Sequence, residues 1–218
     1  AQRYYGSIPR QIQPARRVFT EPAQIGIKRM VVKAPAELPL VVMSYHAPNI
    51  INLQQDWKPY ALDMLAGVLS GGESARLNKH LVREQRIASS AAAGYDSASR
   101  GPGLFTLEAT PSEGKTVGEM EAALRGEIAQ LVKDGVSADE MKRVKAQVMA
   151  GEVYKLDSVF YQAMQIGQME SIGLGHKAIG IMLEKLQAVT AEQVQQVAVE
   201  FLQDDNLTVA VLDPQALS

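Results

Sequence analysis

The apolar residues of this chain change their spacing along its length, and that change limits the folds open to it. "LPLVVMSYHAP" (38–48) is a near-continuous apolar run stopped by Pro48, which suits a strand. From Asp56 onward Leu62, Leu65, Ala66 and Leu69 fall at i, i+3, i+4 and i+7. That is one face of a helix starting near Trp57, and Ser70-Gly71-Gly72 stops it. "IGIKRMVVKAP" (25–35) roughly alternates and is a second strand candidate. A short helix, about 73–85, carries Arg76, Lys79 and Arg83. Two more strands are expected in "RIASSAAAGYDS" (86–97) and "GLFTLEATP" (103–111), and the turn residues "SRGPG" between them predict an antiparallel pair.

The second half reads as mostly helical. Val117, Met120, Leu124, Ile128 and Leu131 line one face up to Asp134-Gly135. Glu119, Glu121 and Glu127 fall largely off that stripe, which predicts solvated carboxylates. "SADE" (137–140) is a capping box, in which Ser137 and Glu140 each satisfy a free backbone N–H of the other. From it a long periodic stretch runs through Met141, Val144, Val148, Leu156, Phe160 and Ala163 towards Gly173. "TAEQ" (190–193) is a second box, before a helix ending near Leu202, and the last strand is "LTVAVLD" (207–213). Met141, Met149, Met164, Met169 and Met182 are expected to fill core gaps. Strands, helix, strands, helices, strand: this order predicts an α+β layer, a mainly antiparallel sheet with helices packed on one face. Residues 1–24 read as a connection and 25–218 as one domain, because "YYGSIPRQIQPARRVFTEPAQ" mixes Pro, Gly and polar residues without a sustained period.

With 46% hydrophobic and 21% charged residues, 218 residues are enough to bury a substantial core. The formal charge is −2, and no basic stripe is interleaved with aromatics, so nucleic-acid binding is not expected. No run of about 18 apolar residues exists, so no membrane span is implied. The absence of cysteine excludes disulfides, thiolate metal sites and cysteine nucleophiles. The start, "AQRYYGSIPRQ", has neither an initiator Met nor the pattern of a signal peptide, so a mature or excised fragment is expected.

Candidate chemistry is sparse. His46, His80 and His176 are far apart, and neither H-E-x-x-H nor H-x-x-E-H occurs, so no helical turn offers two imidazoles beside a carboxylate base. Each histidine reads as a surface or capping imidazole. Ser74 in "GGES" is outside G-x-S-x-G, and Gly71 and Gly72 are followed by no G-K-[ST], so a helix-ending turn explains them. By its residues alone the chain is an α+β domain with no catalytic constellation and no metal site.

The stretch "SGGESARLNKHLVREQRIASSAAAGYDSASRGPGLFTLEATPSEGKT", the helix "SADEMKRVKAQVMAGEVYKLDSVFYQAMQIG" and the end "AVTAEQVQQVAVEFLQDDNLTVAVLDP" resemble the non-catalytic half of the pitrilysin/insulinase family of zinc metallopeptidases, which includes mitochondrial processing peptidase. The likeness spans about 25 to 213, and "QRYYGSIP" resembles the last turn of the family's preceding, catalytic domain. The resemblance implies the LuxS/MPP-like metallopeptidase fold. It also implies two similar halves enclosing a chamber, one of them holding zinc through H-x-x-E-H plus a downstream Glu. In this sequence the corresponding helix, "DWKPYALDMLAGVLS", has no His, which identifies the inactive half, without a cofactor of its own and with zinc expected in the paired catalytic half. The implied partners are that catalytic half or subunit and a peptide substrate. The family often places an Arg and, seven residues later, a Tyr towards the substrate. Arg83 matches the Arg, while Ser90 stands at the Tyr position and has a shorter, less acidic hydroxyl. The alternative for Arg83 is a pair with Glu84 or a cap on the helix end. For the whole chain, a separate inactive partner subunit and a structural core subunit of a larger complex stay open beside the excised half of an endopeptidase. Exported bacterial relatives point to the periplasm.

Overall fold

The sheet is organised around β2 (Leu40–Ala47), whose residues alternate between buried Val41, Met43, Tyr45 and Ala47 and half-buried Leu40, Val42, Ser44 and His46. In the computed structural model, which describes residues 2–9, 11–12 and 22–216, β2 is the middle of a five-stranded sheet. The other strands are β1 (Lys28–Pro35), β3 (Ala88–Gly94), β4 (Gly103–Pro111) and β5 (Leu207–Gln215), in the order β1-β5-β2-β4-β3. β2 runs antiparallel to β4 and β5, β3 runs antiparallel to β4, and β1 pairs with β5 in parallel. Register places Met43 opposite both Leu107 and Val209, so one face of three adjacent strands is continuously apolar.

Helices cover that face. After α1 (Gln2–Tyr5) come α2 (Lys58–Ser70), a π-helix (Asn78–Glu84), α3 (Val117–Asp134), α4 (Ala138–Leu156), α5 (Val159–Ile172), α6 (Ala178–Ala188) and α7 (Ala191–Phe201). α2 is the centre of the core: Tyr60, Ala61, Leu62, Met64, Leu65, Val68 and Leu69 are all buried, and it packs against β3, α4, α6 and α7. A helix apolar around most of its circumference has to sit inside, between two layers. Its approach to α4 is close at Gly67, where an added Cβ would lie 2.5 Å from Val144 Cγ1. The α+β layer expected from the period changes is the fold observed.

Several local expectations differ from the structure. The long periodic stretch after Ser137 is two helices, α4 and α5, parted at Asp157 and Ser158, and the Ser158 hydroxyl caps α5 by accepting from Tyr161 N–H. An apolar period carries across such a break, so the pattern could not place it. α6 lies where the apolar spacing marks no element, and the helix expected over about 73–85 is mainly a π-helix. Thr116 and Glu119 make a third capping box. Among the methionines expected in the core, Met141 and Met169 are buried, whereas Met164 is 48% exposed beside exposed Val159 and Phe160. The Leu156 side chain and much of the expected connection over 1–24 lie outside the described residues. The end of that connection is tied to β5: Gln24 Nε2 donates to the Leu207 carbonyl at 2.7 Å, and Gly26 N–H donates to Asp205 Oδ1 at 3.1 Å.

Candidate functional site

The segment from Gly71 to Ser90 joins α2 to the edge strand β3. It is anchored at its start by Arg76, whose guanidinium donates to both oxygens of Glu140, at 2.7 and 2.9 Å, and to the Gly135 carbonyl at 2.7 Å. Burial works against the Glu140 carboxylate. The hydrogen bonds from Arg76 and from the Ser137 backbone and hydroxyl outweigh it and hold the group down at about 2. The next turn is fixed by His80, whose Nδ1 lies 2.8 Å from Glu127 Oε2. Glu127 is only 7% exposed, which corrects the reading of a solvated carboxylate. Glu121 is likewise enclosed, hydrogen-bonded by Arg29 and Arg125, and those bonds lower its pKa against the effect of burial. A position off a helix's apolar stripe is solvated only if no neighbouring element covers it, and here the π-helix and β1 do.

Arg83 lies in the last turn of the π-helix and is exposed. Among the described residues its guanidinium makes no hydrogen bond or ion pair. Glu84, its expected partner, instead lies 4.0 Å from Lys79 Nζ. Ser90 is exposed on β3 opposite Thr110, just past an irregularity in the pairing between Ala88 and Ser90. Its neighbour Ser89 donates to the Thr110 carbonyl at 3.2 Å. The two expected substrate contacts therefore stand on either side of the turn into β3, each free at the surface, with no direct bond between them among the described residues.

The residues present do not fit a zinc site. His46 is on β2, His80 is engaged with Glu127, and His176 Nδ1 lies 2.8 Å from Glu170, so the three imidazoles are on separate elements. Among the described residues no three His, Asp or Glu side chains are grouped so as to hold a metal ion.

Asp63 sits on the buried helix α2, where desolvation pushes its pKa up to about 7. Hydrogen bonds from the Ser97 side chain and backbone oppose that rise, and the charge of Asp96 adds to it. The signal was available: an acid within a helix apolar on nearly every side has few ways to reach water. Asp96 and Ser97 also border a cavity of about 310 Å³ walled by Met164, Met169, Ile179 and Met182 of α5 and α6.

Residues 1–148 match the family described as the Peptidase M16 inactive domain. The chain is 24% identical over 155 residues to YmxG, an uncharacterized zinc protease of Bacillus subtilis, covering 71% of this chain and 37% of that protein. A protease from Helicobacter pylori has a similar fold, with a TM-score of 0.86 and 20% identity over 98% of this chain and 51% of that one. The periplasmic protease PqqL of Escherichia coli is also similar, with a TM-score of 0.70 and 20% identity over 98% of this chain and 23% of that one. The chain thus spans about a third of its Bacillus relative and about half of the Helicobacter protease. No helix among the described residues is long and apolar enough to cross a membrane.

Proposed function

The chain belongs to the peptidase M16 family as an inactive domain, and on that ground we propose that it is the substrate-enclosing half of a zinc metalloendopeptidase whose metal lies on a catalytic half. The observation that carries this reading is α2: the central helix, where the resemblance implies zinc ligands in the active half, has no histidine between Lys58 and Ser70. It is filled instead by core side chains. The proposed role is therefore to close a chamber around a peptide, with the other half holding the zinc that would supply the hydrolytic chemistry. Residues 1–24 would be the connection from that half, a reading favoured by a Helicobacter protease about twice as long as this chain. Arg83, with Ser90 beside it, would meet the peptide, Arg83 supplying a fork of donors for carbonyls or carboxylates. Likeness to a periplasmic protease supports export to that compartment.

The test compares this chain with a longer protein carrying the catalytic half. The longer protein is expected to hydrolyse peptides and to lose the activity to EDTA, whereas this chain binds no stoichiometric zinc and cleaves nothing. EDTA-sensitive hydrolysis by the isolated chain would overturn the proposal.

A further inference from the structure

We propose that Arg86, together with Arg83, forms a seat for carboxylates that makes this wall take acidic peptides, with an extended peptide laid along the free edge of β3. The inference rests on the reading that the chain encloses a peptide. It begins with the backbone. Gln85 N–H donates to the His80 carbonyl and Ile87 N–H to the Leu81 carbonyl, bonds that close the end of the π-helix. Between them Arg86 takes φ 54°, the one non-glycine residue at positive φ among the described residues.

Such a helix stop requires the conformation and leaves the side chain open, and glycine meets it without strain. α5 ends in that way, on Gly173 at φ 94° and ψ 7°. At the end of the π-helix the position holds a guanidinium despite the unfavourable backbone. Strain held at a single surface residue points to a use for its side chain.

The surroundings fit an anionic ligand. Arg29, Arg76 and Arg125 are each spent on carboxylates of the fold. The guanidinium groups of Arg83 and Arg86, three residues apart and both exposed, make no hydrogen bond or ion pair among the described residues. Immediately after them β3 begins. Among the described residues it pairs only with β4, so its other edge offers unpaired backbone groups to an extended chain. A peptide adding there would bring its side chains past the two arginines, and two planar forks are suited to carboxylates.

The test measures binding of this chain, by fluorescence anisotropy at low salt, to an extended peptide bearing adjacent glutamates and to its glutamine twin. The acidic peptide is expected to bind about tenfold more tightly, in the range of charge-assisted contacts. Arg86→Gly should bring the two near parity while the melting temperature holds or rises, and Arg86→Lys should retain part of the preference. An unchanged ratio in a folded Arg86→Gly protein, or no preference in the parent, overturns the inference. The function proposed above fails separately. If the longer protein hydrolyses peptides without regard to Arg86, that function stands and the carboxylate seat falls; if it hydrolyses none while this chain still selects acidic peptides through Arg86, the reverse holds.

Discussion

Arg76 and Glu140 face one another as a two-point pair, Nε to Oε1 at 2.7 Å and Nη2 to Oε2 at 2.9 Å, with 12% and 17% of their side chains exposed. The pair clamps the segment leaving α2 onto the first turn of α4, and Glu140 closes the capping box of Ser137 at the same time. Removing one partner leaves a nearly buried group without its counterpart. Glu140→Gln and Arg76→Ala are each expected to lower unfolding stability by about 2 kcal/mol, read from urea denaturation. The folded pKa of about 2 lies below the ordinary 4.5 of a glutamate. The contribution is therefore complete above pH 4.5 and is lost as pH falls towards 2. Glu140→Gln should flatten that part of the acid profile, and a profile unchanged by the substitution would contradict the assignment.

Asp63 acts in the opposite direction. Its folded pKa, raised to about 7, lies well above the ordinary 3.8, so the folded state keeps a proton that the unfolded chain releases. Below pH 3.8 both states are protonated and no penalty exists. Between about 4 and 7 stability falls as pH rises, by on the order of 4 kcal/mol in total, and above 7 the penalty is constant. Asp63→Asn should remove this slope and raise the melting temperature at pH 8 while leaving it little changed at pH 4. Equal slopes in the parent and the variant would show that Asp63 ionises freely.

How far the sequence spoke for the fold follows from which interactions are local. Alternation in β2 and the three-four spacing of α2 are short-range consequences of burial on one side, so the layers and their order could be read directly. The break at Asp157 and Ser158 rests on a single cap inside an unbroken apolar period. The enclosure of Glu127 depends on His80, 47 residues away in sequence. The parallel pairing of β1 with β5 joins the two ends of the domain, and no turn links them. In the candidate site, Arg83 and Ser90 could be named by resemblance. The left-handed turn at Arg86 between them could not, because an arginine carries no signal for positive φ.

Gly67 offers a test of core packing free of charge effects. In an exposed helix Gly→Ala gains about 1 kcal/mol from propensity. Here the new methyl group would sit 2.5 Å from Val144 Cγ1, well inside van der Waals contact, so α2 and α4 would have to separate. Gly67→Ala is expected to be net destabilising by about 1–3 kcal/mol. Val144→Ala in the same chain should recover part of the loss, which neither substitution alone would suggest. Additive losses in the double variant, measured by thermal denaturation, would mean that the two helices do not meet as described.

Arg83 is the residue on which the proposed role in catalysis can be read most directly, since nothing in the fold among the described residues uses its guanidinium. Its replacement should leave stability within about 0.5 kcal/mol of the parent, as for a surface position without partners. In a protein that carries the catalytic half, Arg83→Ala is expected to lower kcat/KM for peptides about tenfold or more, the size of a lost hydrogen bond to a charged donor. A fall confined to kcat would mean that the guanidinium holds the peptide chiefly as the carbonyl is attacked. A rise confined to KM would mean that it holds substrate and transition state equally. Ser90→Ala, which removes only a short hydroxyl, should have a smaller effect. Unchanged kinetics in Arg83→Ala would take the residue out of the substrate path and leave the exposed turn before β3 with Arg86 alone.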